Sequence, residues 1–307
     1  MKISGKDPCP CGSGKVVSEC ACIRPRNKLV PVSCKTGTKM PKTNYSHSKC
    51  YASETNDCST KISSEHYISH GILSELANDK GMVKVGGMTW NEEEKQVWVP
   101  ADRLGANVLC KRHNNALSGL DSVAIEYFKA IRKTSWEYNN EGSDAKNTVR
   151  IFNGTDFERW MLKLLIGGVA SNNMEAKNVP EQKSWKPPID WINVLFGDVG
   201  MPKKLGLYGT SQIQEIVLKE GGVAAACLSN SQASIIGLSL IFQGFKFVLA
   251  MVKPNLDDED SILKNSLYRP GNFEFRSQGK SKVVALCWDD EETHGGFQLN
   301  WYPPEAN

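Results

Sequence analysis

Between residues 50 and 121 the chain carries four soft metal ligands in two pairs, Cys50 with Cys58 and Cys110 with His113. Cys110-Lys-Arg-His113 has knuckle spacing, which turns two ligands onto one ion, and structural zinc sites are closed sets of Cys and His. Cys50 and Cys58 lie farther apart, so a turn must bring both thiolates inward. One ion shared by the pairs would tie the start of this stretch to its end. Just inside the pairs stand Glu65-His66 and Asn114-Asn115. Hydrolysis of a phosphodiester needs a water nucleophile, a base for its proton and a cation for the developing charge. Glu65 offers a hard oxygen ligand, His66 a base that titrates near neutrality, and Asn114 a neutral amide oxygen. Taken alone, Glu65-His66 reads as an ordinary surface pair; the cysteines read as zinc ligands ahead of buried apolar thiols.

A second group opens the chain: Cys9-Pro10-Cys11-Gly12-Ser13-Gly14-Lys15, then Cys20-Ala21-Cys22. Thiolates one residue apart can share an ion where Gly and Pro let the backbone turn tightly. Cys9, Cys11, Cys20 and Cys22 would complete a tetrahedral Zn²⁺ site and fold a peptide too small for its own core. Cys34 has no evident partner and reads as a structural or free thiol. Whether Cys20, Cys22 or Cys34 closes the first site stays open.

The elements that must position these groups follow from periodicity. Residues 80–100 alternate on both sides of Asn91-Glu92-Glu93-Glu94, a hairpin pattern. Leu120, Val123, Ala124, Tyr127, Phe128 and Ile131 recur at helical spacing, which puts Asn114 and Asn115 near a helix N-terminus. Thr155-Asp156-Phe157-Glu158 has capping-box form ahead of a helix whose apolar face is Phe157, Trp160, Met161, Leu164, Leu165 and Val169, ending near Ser171. Gly167-Gly168 within it predicts a close packing contact. Beyond Gly206 strands are expected at 215–218, 223–228, 234–242, 245–252 and 283–288, with a tight hairpin at Phe242-Gln243-Gly244-Phe245. His294 beside Gly295-Gly296 reads as a loop residue.

The 307 residues, 40% hydrophobic and 23% charged, describe an ordered globular chain that can bury a substantial core. Residues 1–60 hold 10 Lys/Arg against 4 Asp/Glu, a net of +6 that leaves −3 for the remainder. Such a bias suits a phosphate-contacting face or, equally, a solvated arm. The start has no apolar segment of signal-peptide type. The most apolar run, 234–252, is interrupted by Gln243, Gly244 and Lys246 and falls short of a membrane span. A cytoplasmic protein is expected, in which ten cysteines point to metal instead of disulfides, eight of them at or before Cys110.

Two family resemblances rest on these residues. Cys9-Pro10-Cys11-Gly12-Ser13-Gly14-Lys15 with Cys20 resembles the SEC-C zinc motif; Cys22 stands one residue later than that motif's usual fourth ligand. The resemblance implies an accessory module that docks on protein or nucleic acid. The stretch 50–121 resembles the zinc-knuckled branch of the HNH endonucleases, the ββα-metal fold, which reads Cys–Cys, then Asp/Glu-His, then Cys-x-x-Cys/His followed by His or Asn. It implies His66 as general base, Glu65 and Asn114 as ligands of a catalytic divalent cation such as Mg²⁺, and Cys50, Cys58, Cys110 and His113 as ligands of structural zinc. Asn107 would be the polar residue that orients the base. Lys111 and Arg112 are placed to contact phosphate. The chain departs from the pattern in a long insert before Asn114 and in Ser69, where the family often has Pro.

The expectation is an α+β chain: a SEC-C-like zinc knuckle at 1–30, a basic linker at 31–49, an HNH-like ββα-metal domain at 50–135, a helix and linker at 150–190, and a mostly antiparallel β domain at 191–307. Its expected activity is divalent-metal-dependent cleavage of DNA, with bacterial anti-phage defence as a setting in which the C-terminal sheet acts as sensor. The alternative is a catalytically silent zinc module that binds nucleic acid or a partner protein.

Overall fold

A computed structural model describes residues 4–23, 29–38, 41–89, 96–140, 146–174, 176, 185–210, 223–232, 234–242, 244–254, 263, 266–277, 280–290, 292 and 294–300. The expected strand at 215–218, the hairpin centre at 91–94 and Gln243 lie outside the described residues. The architecture is mixed α+β, with a cysteine cluster at the N-terminus and a β-rich C-terminal region.

After the N-terminal cluster come β1 (Ile62–His66), α1 (His70–Leu76), β2 (Met82–Gly86), β3 (Gln96–Pro100), β4 (Gly105–Cys110) and the long α2 (Lys111–Asn140). Then follow β5 (Thr148–Asn153), α3 (Gly154–Ala170), α4 (Ile189–Phe196), β6 (Gly206–Thr210) and β7 (Val223–Ser229). The remaining strands are β8 (Ile235–Phe242), β9 (Phe245–Ala250), β10 (Ser266–Tyr268), β11 (Asn272–Ser277), β12 (Lys280–Cys287) and β13 (Gly296–Asn300). β1 and β4 form an antiparallel pair that feeds directly into α2, with Ile62 opposite Cys110 and His66 opposite Gly105; the register slips between Ser63 and Glu65. A seven-stranded sheet runs β10-β6-β9-β8-β7-β2-β3, and a four-stranded sheet runs β13-β11-β12-β5.

Both sheets recruit strands from opposite halves of the chain. The β2–β3 hairpin joins the C-terminal strands through parallel pairing of Val85 with Val223, and β5 runs parallel to β12 from Thr148–Lys282 to Asn153–Cys287. Sheet boundaries therefore do not follow the segments 50–135 and 191–307. The apolar run 234–252 forms two paired strands, β8 and β9, with Phe242 opposite Phe245 and Gly244 at φ 79° in the turn, a conformation that a Cβ disfavours.

α3 is the hub. Fifteen of its 17 residues are buried, the charged Asp156, Glu158, Arg159 and Lys163 among them, so the helix is enclosed by neighbours and each of these charges is met by a polar partner. Its N-cap is Asn153, whose side chain accepts from the Asp156 amide, so capping starts two residues before the Thr155 pattern suggests. Phe157 and Trp160 stack at 5.7 Å, and Phe128 of α2 meets Phe242 of β8 at 4.0 Å. Gly167 lets Tyr67 approach so closely that an added Cβ would lie 3.0 Å from the Tyr67 Cβ, and Gly168 packs on Met174. Among the described residues no helix is long and apolar enough to cross a membrane.

Candidate metal centres and the Glu65–Lys163 cluster

Two groups of side chains bring their ligand atoms within 4.8 Å of one another: Cys9, Cys11, Cys20 and Cys22, and Cys50, Cys58, Cys110 and His113. Four atoms held about 2.3 Å from a tetrahedral ion stand about 3.8 Å apart. In the first group the sulfur separations are 3.8 Å for Cys9–Cys22, 3.4 Å for Cys11–Cys20 and 3.4 Å for Cys20–Cys22. Zinc fits this set. Cys22 closes it, and Cys34 instead packs on Gly119, its amide donating to Asp156 at 2.8 Å. Burial, reinforced by the Asp156 charge, pushes the Cys34 thiol up to about 12. The knuckle rests on β5, where the Ile151 amide donates to the Pro10 carbonyl.

The second group is assembled by the β1–β4 pair and the first turn of α2. His113 Nδ1 lies 3.2 Å from the Cys110 sulfur, 3.5 Å from that of Cys50 and 3.8 Å from that of Cys58. All four residues are buried. The tautomer follows from the second ring nitrogen. Thr55 gives its hydroxyl proton to the Ala52 carbonyl at 2.8 Å, so its oxygen accepts from His113 Nε2–H at 3.1 Å. Nδ1 then faces the sulfurs with a lone pair, the outer-shell arrangement that orients a ligating histidine. Backbone amides also converge on sulfur, Cys110 N–H on Cys50 and Ser59 N–H on Cys110. The bond from Cys50, with others from His113 and Ser59, lowers the Cys110 thiol well below the ordinary range, while the same bond and burial push the Cys50 thiol up and burial raises Cys58. Asp57 and Arg112 clamp the set from outside, with Arg112 Nε 3.0 Å from Asp57 Oδ1 and Nη2 3.1 Å from Oδ2.

Glu65, His66 and Asn114 engage different neighbours. Glu65 is 1% exposed and faces α3. Its Oε1 lies 3.3 Å from Lys163 Nζ and 3.5 Å from the Tyr51 hydroxyl, while Oε2 is buried with no hydrogen-bond partner. Lys163 also donates to both Asp121 oxygens, at 2.8 and 3.0 Å, and to the His66 carbonyl at 3.4 Å. Trp160 Nε1 donates to the Ser69 hydroxyl, which donates in turn to Asp121. Burial raises the Glu65 carboxyl above its usual range, opposed by Lys163 and helped by Asp121. Burial would lower Lys163, but the two carboxylates outweigh it and hold the ammonium charged.

His66 turns to the other side of β1. It is half-buried, its ring lies 5.0 Å from that of His70, and its Nε2 has no partner. Burial and the His70 charge lower its pKa, which favours the neutral imidazole. His70 Nε2 in turn meets Asp102 Oδ1 at 2.9 Å. Asn114 donates its amide to Ser63 Oγ at 2.9 Å, and among the described residues no hydrogen bond joins it to Glu65 or His66. Asn107 and Lys111 are exposed, whereas the Arg112 guanidinium is engaged by Asp57 and by the Pro41 carbonyl at 3.0 Å. His294 pairs with Asp290 at 2.7 Å.

Sequence reasoning missed Thr55, Asp57, Asp121 and Lys163. Only Lys163 carried a signal, a single charge inside Trp160-Met-Leu-Lys-Leu-Leu-Ile166, where a wholly apolar helix face demands a buried counter-charge. No protein-family model, no curated protein and no solved structure matches the chain.

Proposed function

We propose that the chain is a zinc-stapled ββα endonuclease that hydrolyses DNA phosphodiester bonds, with His66 as general base. One arrangement carries the reading. β1 ends on His66, pairs antiparallel with β4, and β4 runs without a break into α2, with four zinc-type ligands locking the junction. The half-buried His66 imidazole is held toward its neutral form, the protonation state a general base requires, with its Nε2 free of hydrogen-bond partners but covered from solvent. The exposed Lys111 and the basic first 60 residues offer charge for a phosphate backbone.

A second reading has its own support. Lys163 fills the space against Glu65, which favours a catalytically silent zinc module that binds nucleic acid or a partner protein on the same scaffold. Supercoiled-plasmid nicking separates the two, comparing wild type with His66→Ala in EDTA and in Mg²⁺, Mn²⁺ or Ni²⁺. Metal-dependent nicking by wild type, lost in His66→Ala at unchanged zinc content, is expected for the nuclease. Full activity in the variant would remove His66 from the mechanism. Binding without nicking by either protein would favour the silent module.

A further inference from the structure

We infer that the cavity between the N-terminal knuckle, α2 and β5 binds a small organic oxyanion, a phosphate or carboxylate carried on an apolar body, through the Arg150 guanidinium. The cavity measures about 400 Å³, within the span of about 300–1,000 Å³ that small-molecule sites occupy. Val32, Val123, Ile151 and Phe152 give it an apolar lining around a few polar side chains. All but one of those are already engaged. Asn153 donates to the Pro31 carbonyl and accepts from the Asp156 amide, and the Ser122 hydroxyl donates to the Ser118 carbonyl. Glu126, the single carboxylate of the lining, meets Lys129 at 3.5 Å. Among the described residues no hydrogen bond or ion pair engages Arg150, and its Nε is buried without a partner.

The local sequence holds this cation in place. Arg150 and Phe152 share one face of β5, and the guanidinium carbon lies 5.8 Å from the Phe152 ring centroid. The guanidinium also lies against the backbone of Gly12, where an added Cβ would stand 2.8 Å from Nη2. Gly12 has φ at 78°, so this turn and this close approach both favour glycine. With Nε covered, Nη1 and Nη2 are the atoms left to meet a ligand. Their parallel N–H groups match two oxygens of a phosphate or carboxylate. A partly buried cation without a counter-charge is costly; an oxyanion supplies that charge while the apolar lining covers the rest of the ligand. No side chain has to withdraw to admit it, and the inference does not depend on the nuclease reading.

Titration calorimetry on the full-length, zinc-loaded protein tests it, with phenyl phosphate, benzoate, inorganic phosphate and benzyl alcohol as probes. Phenyl phosphate or benzoate should bind at one site, and the tighter of the two names the oxyanion. Inorganic phosphate and benzyl alcohol each lack half of the ligand and should bind at least about tenfold more weakly. Arg150→Gln should weaken the tighter probe by about tenfold or more. Val32→Trp, at a position 54% exposed, should do the same by filling the cavity while the charge stays. The methyl resonances of Val123 and Ile151 should shift on binding. Binding of neither phenyl phosphate nor benzoate by the wild type would mean that the cysteine cluster already answers the Arg150 charge, and would overturn the inference. So would equal affinity in Arg150→Gln, inorganic phosphate bound as tightly as phenyl phosphate, or methyl shifts confined to other parts of the chain. Should Arg150→Gln not fold, Val32→Trp carries the comparison, and unchanged affinity there would overturn the inference equally.

Discussion

Asp57 and Arg112 face each other two-on-two, Arg112 Nε at 3.0 Å from Oδ1 and Nη2 at 3.1 Å from Oδ2. Asp57 precedes Cys58, and Arg112 sits between Cys110 and His113, so the ion pair closes the same loop as the candidate zinc site. Burial alone would raise the Asp57 carboxyl; the Thr38 hydroxyl, the Thr43 amide and Arg112 outweigh it and hold it below the ordinary 3.8. A depressed carboxylate contributes stability above its unfolded pKa, and that stability is lost as pH falls through the folded value. Asp57→Asn should therefore cost about 1–2 kcal/mol at pH 7, a deficit that begins to shrink below the ordinary 3.8 and is gone only once pH has fallen past the lower folded value. Urea unfolding across that range reads the difference, and an equal loss at every pH would discount the charge.

Zinc analysis of the purified chain should return two ions, one for each cluster. Cys50→Ser with Cys110→Ser should leave one and collapse the β1–β4–α2 junction, because zinc binding in such sites supplies about 10–16 kcal/mol of folding free energy. Cys9→Ser with Cys11→Ser should leave one ion and an intact central fold. Mass spectrometry under native conditions distinguishes the three species.

Thr55 touches no sulfur, yet it fixes which His113 nitrogen faces them. Thr55→Val should weaken zinc at this centre by about 10–100-fold, whereas Thr55→Ser, which keeps the hydroxyl, should not. Competition against a chromophoric chelator measures both. An unaltered affinity in Thr55→Val would mean that packing against Phe196, 5.0 Å away, suffices to orient the ring.

Glu158 is buried on α3 and held by Arg269, Nη2 to Oε2 at 2.9 Å, and by the Leu207 amide at 2.9 Å. Removing the partner of a buried charge costs about 3–5 kcal/mol, the loss expected for Arg269→Ala. Burial already lifts the Glu158 carboxyl above 4.5. A raised carboxyl contributes its full stability below the unfolded pKa and loses it as pH rises through the folded value. The Arg269→Ala deficit should thus be larger at pH 8 than at pH 5, read from denaturant midpoints.

What was legible in the sequence was local. Ligand spacing identified both clusters because cysteines at such intervals have few other uses, and the 3.6-residue period marked α2 and α3. The extra partners arrive from a distance: Asp121 meets Lys163 across 42 positions and Ser69 across 52. Periodicity carries no information about which charged residue will face which. The same holds for strands. β8 and β9 announced themselves by hydrophobic runs, but nothing in Thr148–Asn153 or Met82–Gly86 says that each pairs with a strand of the C-terminal region. The direction of Glu65 and His66, to opposite sides of β1, was implicit in strand geometry; that α3 would cover one of them was not.

The parallel pairing of β5 with β12 sets an order of events during synthesis. α3 follows directly on β5, and its charged residues reach Ser33, Leu195, Leu207 and Arg269, far apart along the chain. A nascent chain that has emerged only through α3 can already lay that helix on α2 and Tyr67, but it lacks Leu195, Leu207 and Arg269, the partners of Arg159 and Glu158. The pairing of β5 with β12 and these buried partners are completed only by later chain, and long-range closure of this kind is slow and exposed to misassembly.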